Sequence, residues 1–325
     1  MEPQQALFAA GVPALAFSAL VWLLDKYERE PLRLMLGAFL WGAIPAAVTS
    51  VVLEVILGVP LWLLLGEAPA EAIGVALGAP IIEELAKGAA LILLALLFSR
   101  EFDGVMDGIV YGALVGFGFS MTENIAYLVS CGPVGSVGCQ ALAFWRTLVF
   151  GLNHAFYTAL TGAAIGYAMT KRDAKRWLAP PLGLWAAMMS HMLHNLATLV
   201  GSAPGMEFLG LLLALVPDWG TVLLLGVVIF LAWERERSWM EEHLVAEIAR
   251  GTLSEMEYET LMSWRRRAGA QLSALRGGGW SEALAARRRQ FLATELAFEK
   301  ARRARGEKVK GERLRALRKG LRPGA

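Results

Sequence analysis

The sequence predicts an all-α, polytopic membrane helix bundle of about seven or eight transmembrane helices, followed by a helical, basic tail. The 325 residues have a mean hydropathy of +0.48, and only 18% are charged, whereas soluble domains have about a quarter. Residues 1–233 carry a net charge of −6 and residues 234–325 a net charge of +8. We therefore expect a membrane-embedded domain over 1–233 and a charged cytoplasmic tail over 234–325. This composition excludes a disordered chain, a collagen and a disulfide-dense secreted scaffold.

The individual spans follow from the apolar segments, because a helix crosses the hydrocarbon layer with about 20 mostly apolar residues. Seven segments meet this condition: 6–24, 34–57, 72–98, 108–128, 141–170, 179–200 and 208–233. The first lacks a basic leading region and a clean small-x-small cleavage site, so we expect it to be retained as a helix.

Loop charge predicts the orientation. The connections after the first, third, fifth and seventh spans carry Lys or Arg, whereas the N terminus and residues 58–71, 129–140 and 201–207 carry none. The positive-inside rule then places the N terminus outside and the C terminus in the cytoplasm, in a bacterial cytoplasmic membrane.

Cys131 and Cys139 lie in one short glycine-rich connection that this orientation places outside. A disulfide between them would suit an oxidising exterior. The alternative is a pair of free thiols in a turn.

Polar side chains within the predicted spans indicate a structural or functional role, because burying them in a bilayer costs free energy. They are Glu54, Glu83, Glu84, Lys87, Glu123, Asn124, Arg146, Asn153, His154, His191, His194 and Asn195. The carboxylates and imidazoles of the third to sixth spans fall at similar depths, in the outer half of the membrane, where four helices can meet at one wet cavity. We expect Glu54 and Arg146 to be structural ion-pair residues instead.

Spacing within each helix adds detail. Lys87 can lie beside both Glu83 and Glu84, since it follows them by four and three residues. Phe119 shares a helix face with Glu123, and Asn124 directly follows Glu123 in the chain. His191 shares a face with Asn195, and His194 is close to both.

The chemistry that fits these residues is water activation by a glutamate, with histidine and asparagine donating hydrogen bonds to an oxyanion. No His-Glu-x-x-His zinc motif and no Gly-x-Gly-Asp aspartyl motif is present. A zinc site of Glu83, Glu123, His154 and His191 is a chemical alternative. Two further alternatives are a transporter or scaffold whose cluster binds protons or a substrate, and interhelical ion pairs that merely pack the bundle.

The ordered set of motifs over about residues 20–200 resembles the PrsW family of intramembrane proteases, which is related to the type II CAAX prenyl proteases and the bacteriocin-processing enzymes. The matching residues are Asp25-Lys-Tyr-Glu-Arg-Glu-Pro31, Glu83-Glu84-x-x-Lys87, Asp107-Gly-Ile-Val-Tyr-Gly112, Gly116-Phe-Gly-Phe119-x-x-x-Glu123-Asn124, His154 and His191-x-x-x-Asn195. Glu123 stands where the prenyl proteases have histidine, which favours the PrsW branch and argues against a prenylated substrate.

The resemblance implies a glutamic-type peptidase that needs no cofactor. The family has also been described as metalloproteases, so a zinc cofactor is an alternative. By motif matching, Glu83 or Glu84 would be the base, helped by Glu123 or His154. His191 and Asn195 would bind the oxyanion, and Lys87, Phe119, Asn124 and His194 would support the site. The family's founding member begins regulated proteolysis of an anti-sigma factor, so the resemblance implies a single-span membrane protein as substrate.

The tail is rich in Ala, Leu, Glu and Arg, which favours helices. Its second part, 280–325, carries a net charge of +9, with arginines at roughly helical spacing among apolar residues. Such a pattern just below a membrane predicts binding to anionic lipid. A solvated helical tail is an equal alternative, and nucleic-acid binding has no motif behind it.

Overall fold

The computed structural model of the chain describes residues 1–27, 30–132 and 136–322. These residues form helices and no strands, which confirms the all-α prediction. The helices are α1 (Pro3–Leu24), α2 (Leu32–Trp41), α3 (Ala47–Leu65), α4 (Glu67–Ile73), α5 (Ala79–Leu97), α6 (Val105–Ser130), α7 (Val137–Phe144), α8 (Asn153–Thr170), α9 (Ala179–Gly201), α10 (Glu207–Ala249), α11 (Glu255–Leu261), α12 (Trp264–Ala304) and α13 (Gly311–Leu321).

Within the described residues, five helical stretches are long and apolar enough to cross a membrane, as expected for a polytopic bundle. They are Pro3–Leu24, Leu32–Leu65, Val105–Ser130, Val137–Thr170 and Glu207–Ala249. The other two predicted spans, 72–98 and 179–200, are helical as well, in α5 with the turn before it and in α9. The first of them carries three charged side chains, Glu83, Glu84 and Lys87, and the second carries the imidazoles of His191 and His194.

The chain divides into two compact units. The membrane unit comprises Met1–Asp25 and Glu30–Ile229, and the tail unit comprises Lys26–Arg29 and Phe230–Ala325. Helix α10 contributes its first part to the membrane unit and its last part to the tail unit.

Helix α6 is the central helix of the membrane unit and packs against α1, α2 and α8. In its most apolar stretch 83% of the residues are buried, compared with 6% for Leu32–Leu65. The more apolar segment is thus the more exposed one, which is typical of helices that face acyl chains.

Small residues set the distance between α6 and α8. Gly108, Gly112 and Gly116 follow at intervals of four along the face of α6 that contacts α8. A Cβ atom on Gly112 would lie 2.7 Å from the carbonyl oxygen of Thr158, and one on Gly116 would lie 2.4 Å from that of His154. The absence of side chains here therefore allows the close backbone approach that membrane helices use, and it brings the first turn of α8 next to α6.

The tail unit has its own hydrophobic core, formed by the end of α10 with α11, α12 and α13. Its buried residues include Met240, Leu244, Leu261, Leu296 and Leu314. Glu247 is buried in the same unit, and its carboxylate pairs with Lys300 at 3.0 Å and with Arg318 at 2.8 Å. The basic tail is therefore a packed helical unit, with a buried carboxylate compensated by two cations.

Candidate active site

Helix α5 carries two adjacent carboxylates and a lysine into the interior of the membrane unit. It begins directly after a π-helical turn at Gly74–Gly78, a distortion that is frequent at functional sites. Glu83 and Glu84 point about 100° apart because they are neighbours in a helix. The exposed fractions of Glu83, Glu84 and Lys87 are 6%, 1% and 0%. Three buried ionisable groups on one helix turn need partners from other helices.

Glu84 has partners for both of its carboxylate oxygens. The Lys87 ammonium donates to Oε1 at 2.5 Å, and the Thr158 hydroxyl donates to Oε2 at 3.2 Å. His191 Nδ1 on α9 lies 3.1 Å from Oε1. Glu84 thus ties α5 to α8 and α9, and its hydrogen-bonding capacity is satisfied in the way that a buried carboxylate requires.

Glu83 differs from its neighbour. Its Oε2 atom is buried and accepts no hydrogen bond from any of the described residues. The Lys87 ammonium lies 3.5 Å from this oxygen and 3.1 Å from His154 Nδ1. Around the same oxygen, His154 Nδ1 lies at 3.7 Å and His191 Nε2 at 4.0 Å. Glu83 therefore presents an unsatisfied carboxylate oxygen to two imidazole rings.

Each imidazole is held by a glutamate through its other ring nitrogen. His154 Nε2 lies 2.8 Å from Oε2 of Glu123, and His191 Nδ1 makes the contact with Glu84 described above. The two rings meet edge to face, with centroids 4.9 Å apart. This arrangement, in which a carboxylate orients an imidazole from behind, is typical of histidines that ligate metals.

Aromatic rings enclose the two imidazoles. Phe119 of α6 lies beside His154, with centroids 5.3 Å apart, and the Lys87 ammonium lies 4.4 Å from the Phe119 ring centre. Tyr157 of α8 stacks on His191 at 5.2 Å. Such rings restrict the imidazole orientations and shield the buried charges from lipid.

Glu123 is itself held by a second polar layer. Arg146 Nη2 lies 2.8 Å from Glu123 Oε2, and Arg146 Nε donates to Oδ1 of Asn124 at 2.8 Å. Arg146, which the sequence suggested only as a structural ion-pair residue, thus compensates the carboxylate that orients His154. Glu54, which the sequence also suggested as a structural ion-pair residue, forms no hydrogen bond or ion pair in the described part of the chain, so that expectation is wrong.

His194 lies in a separate polar group with Asp218 of α10. His194 Nδ1 is 2.9 Å from Asp218 Oδ2, and the Tyr157 hydroxyl donates to Asp218 Oδ1 at 2.5 Å. The Asn153 amide lies 3.1 Å from the same His194 nitrogen. Because Tyr157 also stacks on His191, this group adjoins the cluster of Glu83 without being part of it.

Asn195 is not brought to the predicted oxyanion position by any of these contacts. Its side-chain amide donates to the carbonyl oxygen of Val75 at 2.9 Å. Val75 belongs to the π-helical turn before α5, where the helical hydrogen-bond pattern is shifted and a side-chain donor can be accommodated. Asn195 therefore ties α9 to the entry of α5.

Sequence reasoning missed Asp218 and Tyr157 as supporting residues. Asp218 lies in the predicted span 208–233 and is 5% exposed, so the argument from costly ionisable residues in spans applies to it equally. Tyr157 follows His154 by three residues and faces the same side of α8. A tyrosine in an apolar segment does not by itself indicate a functional site.

The donor set fits a zinc ion. Glu83, His154 and His191 each offer one ligand atom, and these atoms lie within 4.8 Å of one another. The predicted set also included Glu123, but that carboxylate is turned to Arg146 and to the outer nitrogen of His154. The cluster's three glutamates face two basic side chains, so it has excess negative charge when the imidazoles are neutral. Carboxylate and imidazole are ordinary zinc ligands.

At the far end of α6, Cys131 and Cys139 form a disulfide. The ammonium group of Met1 donates to the Leu128 carbonyl oxygen at 2.7 Å. The N terminus and the disulfide-linked connection thus lie at the same end of the membrane unit. Residues 133–135 of that connection lie outside the described residues.

A family model described as PrsW family intramembrane metalloprotease matches residues 30–234. The matched region runs from the start of α2 to the apolar part of α10 and contains every residue of the cluster around Glu83. No curated protein and no solved structure matches the chain.

This match supports the peptidase prediction over a transporter or a scaffold, and the apolar helices agree with it. The chain is an integral membrane peptidase that belongs to the PrsW family of intramembrane metalloproteases.

Proposed function

We propose that this peptidase hydrolyses its substrate at the cluster of Glu83, His154 and His191, and that these three side chains hold a zinc ion. One observation carries the proposal. A buried carboxylate oxygen of Glu83 without a hydrogen bond from the described residues faces one nitrogen of each imidazole. The opposite nitrogen of each ring is oriented by Glu123 or Glu84.

A zinc ion bound there would polarise the scissile carbonyl and lower the pKa of a bound water. The surrounding residues orient the three ligands and offset the charge of the carboxylates. Glu84 and Glu123 fix the ring orientations, so that His154 Nδ1 and His191 Nε2 both point toward Glu83. Lys87 and Arg146 offset the carboxylate charges. We assign Glu84 and Glu123 as positioning residues, because their contacts are with side chains of the site.

One contact favours a metal-independent version of the same activity. The Lys87 ammonium lies 3.1 Å from His154 Nδ1, which is one of the ring nitrogens that would face zinc. If Lys87 donates to that nitrogen, His154 donates through Nε2 to Glu123. Glu83 would then be the general base that accepts the proton of the attacking water, as a desolvated glutamate can near neutral pH.

We further propose that cleavage takes place in the exoplasmic half of the membrane, in a bacterial cytoplasmic membrane with the N terminus outside. Glu123 lies about two turns before the end of α6 that carries the disulfide. Loop charges predict that this end is outside. The resemblance to the family's founding member favours a single-span, anti-sigma-factor-like membrane protein as substrate.

The test is a cleavage assay on the full-length protein in liposomes, with a library of single-span membrane peptides and parallel measurement of bound zinc. The zinc proposal predicts about one zinc per chain, loss of cleavage on chelation and recovery with added Zn²⁺. His191→Ala should lose both zinc and cleavage, whereas Glu71→Gln, a change at an exposed carboxylate of α4, should lose neither.

The possible outcomes separate the two versions. Cleavage by zinc-free protein at the untreated rate would overturn the zinc proposal and favour Glu83 acting as the base alone. Cleavage by folded His191→Ala at the wild-type rate would overturn the assignment of the site.

A further inference from the structure

The tail unit contains a cavity of about 430 Å³ that the proteolytic site does not use. It lies between the segment that follows α1 and helix α12. Four basic residues line it: Lys26, Arg267, Arg287 and Arg288. None of the described residues that line it is acidic. A cavity with this charge favours an anionic ligand.

Arg267 makes the floor of the cavity a preformed site. Only 8% of this residue is exposed, so its guanidinium is fixed by the protein. The guanidinium donates to the carbonyl oxygens of Lys26 and Tyr27 at 3.4 Å each and to the Thr294 hydroxyl at 3.1 Å. Because these three acceptors hold the group in one orientation, it does not lose side-chain freedom when it binds an anion.

Arg287 and Arg288 supply exposed positive charge at the rim of the cavity. Both are exposed, and neither forms an ion pair within the described residues. The next residue, Arg289, is paired with Glu257. Guanidinium groups bind phosphate oxygens well, because their N–H groups form a planar fork. The two unpaired guanidiniums are therefore positioned to bind a phosphate together with Arg267.

The wall of the cavity is apolar and open to solvent. Trp264, Leu284 and Phe291 line it and are 53%, 59% and 43% exposed. Exposed aromatic and aliphatic side chains next to arginines are typical of surfaces that contact the headgroup region of a bilayer. Lys26 follows the last residue of α1, Leu24, by two positions, so one residue of the cavity lining comes directly after a predicted membrane span in the chain.

We propose that this cavity binds the phosphate of an anionic phospholipid, with the glycerol and the start of the acyl chains against Trp264, Leu284 and Phe291. The combination of basic floor and rim with an exposed apolar wall distinguishes an amphiphile from a small soluble anion. This inference is independent of the proteolytic mechanism.

In the experiment, each probe is titrated into the full-length protein in neutral detergent. The readout is the shift of the protein's thermal unfolding midpoint. The probes are dioctanoyl-phosphatidylglycerol, dioctanoyl-phosphatidylcholine and inorganic phosphate. The test variant is Arg287→Gln/Arg288→Gln. The matched control is Arg265→Gln/Arg276→Gln, which removes two exposed charges from α12 outside the cavity lining. Midpoints without lipid show whether each variant is folded.

We expect phosphatidylglycerol to raise the midpoint, and the test variant to need at least about tenfold more of it for half of the shift. The control variant should stay within about twofold of wild type. An equal loss in the control variant would mean diffuse charge attraction and would overturn the proposal. An equal response to phosphatidylcholine would overturn the role of the phosphate charge, and an equal response to inorganic phosphate would replace the lipid with a free anion.

Discussion

His191 and Glu84, which are 107 residues apart in the chain, meet at 3.1 Å through Nδ1 and Oε1. This contact turns the opposite nitrogen of His191 toward Glu83. The same Glu84 carboxylate binds the buried Lys87 ammonium. The two adjacent glutamates thus have different surroundings. Both carboxylate oxygens of Glu84 have hydrogen-bond partners, whereas Glu83 Oε2 accepts no hydrogen bond from the described residues.

The first prediction concerns Glu84. Glu84→Gln keeps the shape of the side chain but leaves the fully buried Lys87 without its nearest counter-charge. Breaking one partner of a buried ion pair costs about 3–5 kcal/mol, so we expect a markedly lower free energy of unfolding in detergent micelles. Glu71→Gln is the control at an exposed site. An unfolding free energy of Glu84→Gln equal to that of wild type would contradict the structural role of Glu84.

The second prediction concerns the approach of α6 to α8. In Gly116→Ala the new methyl group would lie 2.4 Å from the His154 carbonyl oxygen, so the helices must separate. We expect a loss of about 1–3 kcal/mol in unfolding free energy, and lower cleavage because His154 moves. In Gly58→Ala no atom lies within 4 Å of the new methyl group, and both quantities should stay near wild type. Equal behaviour of the two variants would show that the glycine contact does not position His154.

The third prediction concerns Asp218, which accepts a hydrogen bond from the Tyr157 hydroxyl and lies 2.9 Å from His194 Nδ1. Asp218→Asn weakens both interactions, and hydrogen bonds to a charged group are worth about 1.5–3 kcal/mol each. We expect lower thermal stability, and reduced cleavage because Tyr157 stacks on His191. Glu207→Gln, an exposed change on the same helix, serves as the comparison. Wild-type stability and cleavage in Asp218→Asn would argue that this polar group is incidental.

The fourth prediction concerns membrane orientation. In Cys139→Ser the remaining thiol of Cys131 is freed from its disulfide. A membrane-impermeant maleimide added to intact bacterial cells that express this variant should label Cys131, whereas the wild-type protein should react only after reduction. Closing a loop of this length stabilises a fold by about 2–3 kcal/mol, so the variant should also unfold at lower temperature. Labelling that requires permeabilised cells would reverse the predicted orientation.

The sequence predicts the helices and the set of polar residues well, because both depend on local patterns and on the cost of charge in lipid. The structure brings Glu83, Glu84, Glu123, His154 and His191 together, as their similar depths suggested. Their catalytic roles stay predictions.

The sequence does not distinguish Glu83 from Glu84, because the difference lies in contacts from Thr158 and His191 on other helices. It also does not predict that Asn195 turns to Val75, since the acceptor arises from a π-helical turn. In the tail, the apolar positions predict helices but not their common core, because amphipathic patterns do not identify which helices pack together.

The most direct test of the site is the cleavage rate of Glu83→Gln beside wild type, with thermal unfolding measured on the same samples. The Glu83 oxygen accepts no hydrogen bond from the described residues, and it lies 3.5 Å from the Lys87 ammonium, compared with 2.5 Å for Glu84. The neutral amide should therefore lower stability less than Glu84→Gln does. We predict a cleavage rate at least about 100-fold below wild type, at an unfolding midpoint above that of Glu84→Gln. A folded Glu83→Gln protein that cleaves within a few-fold of the wild-type rate would contradict the assignment of Glu83 to the catalytic centre.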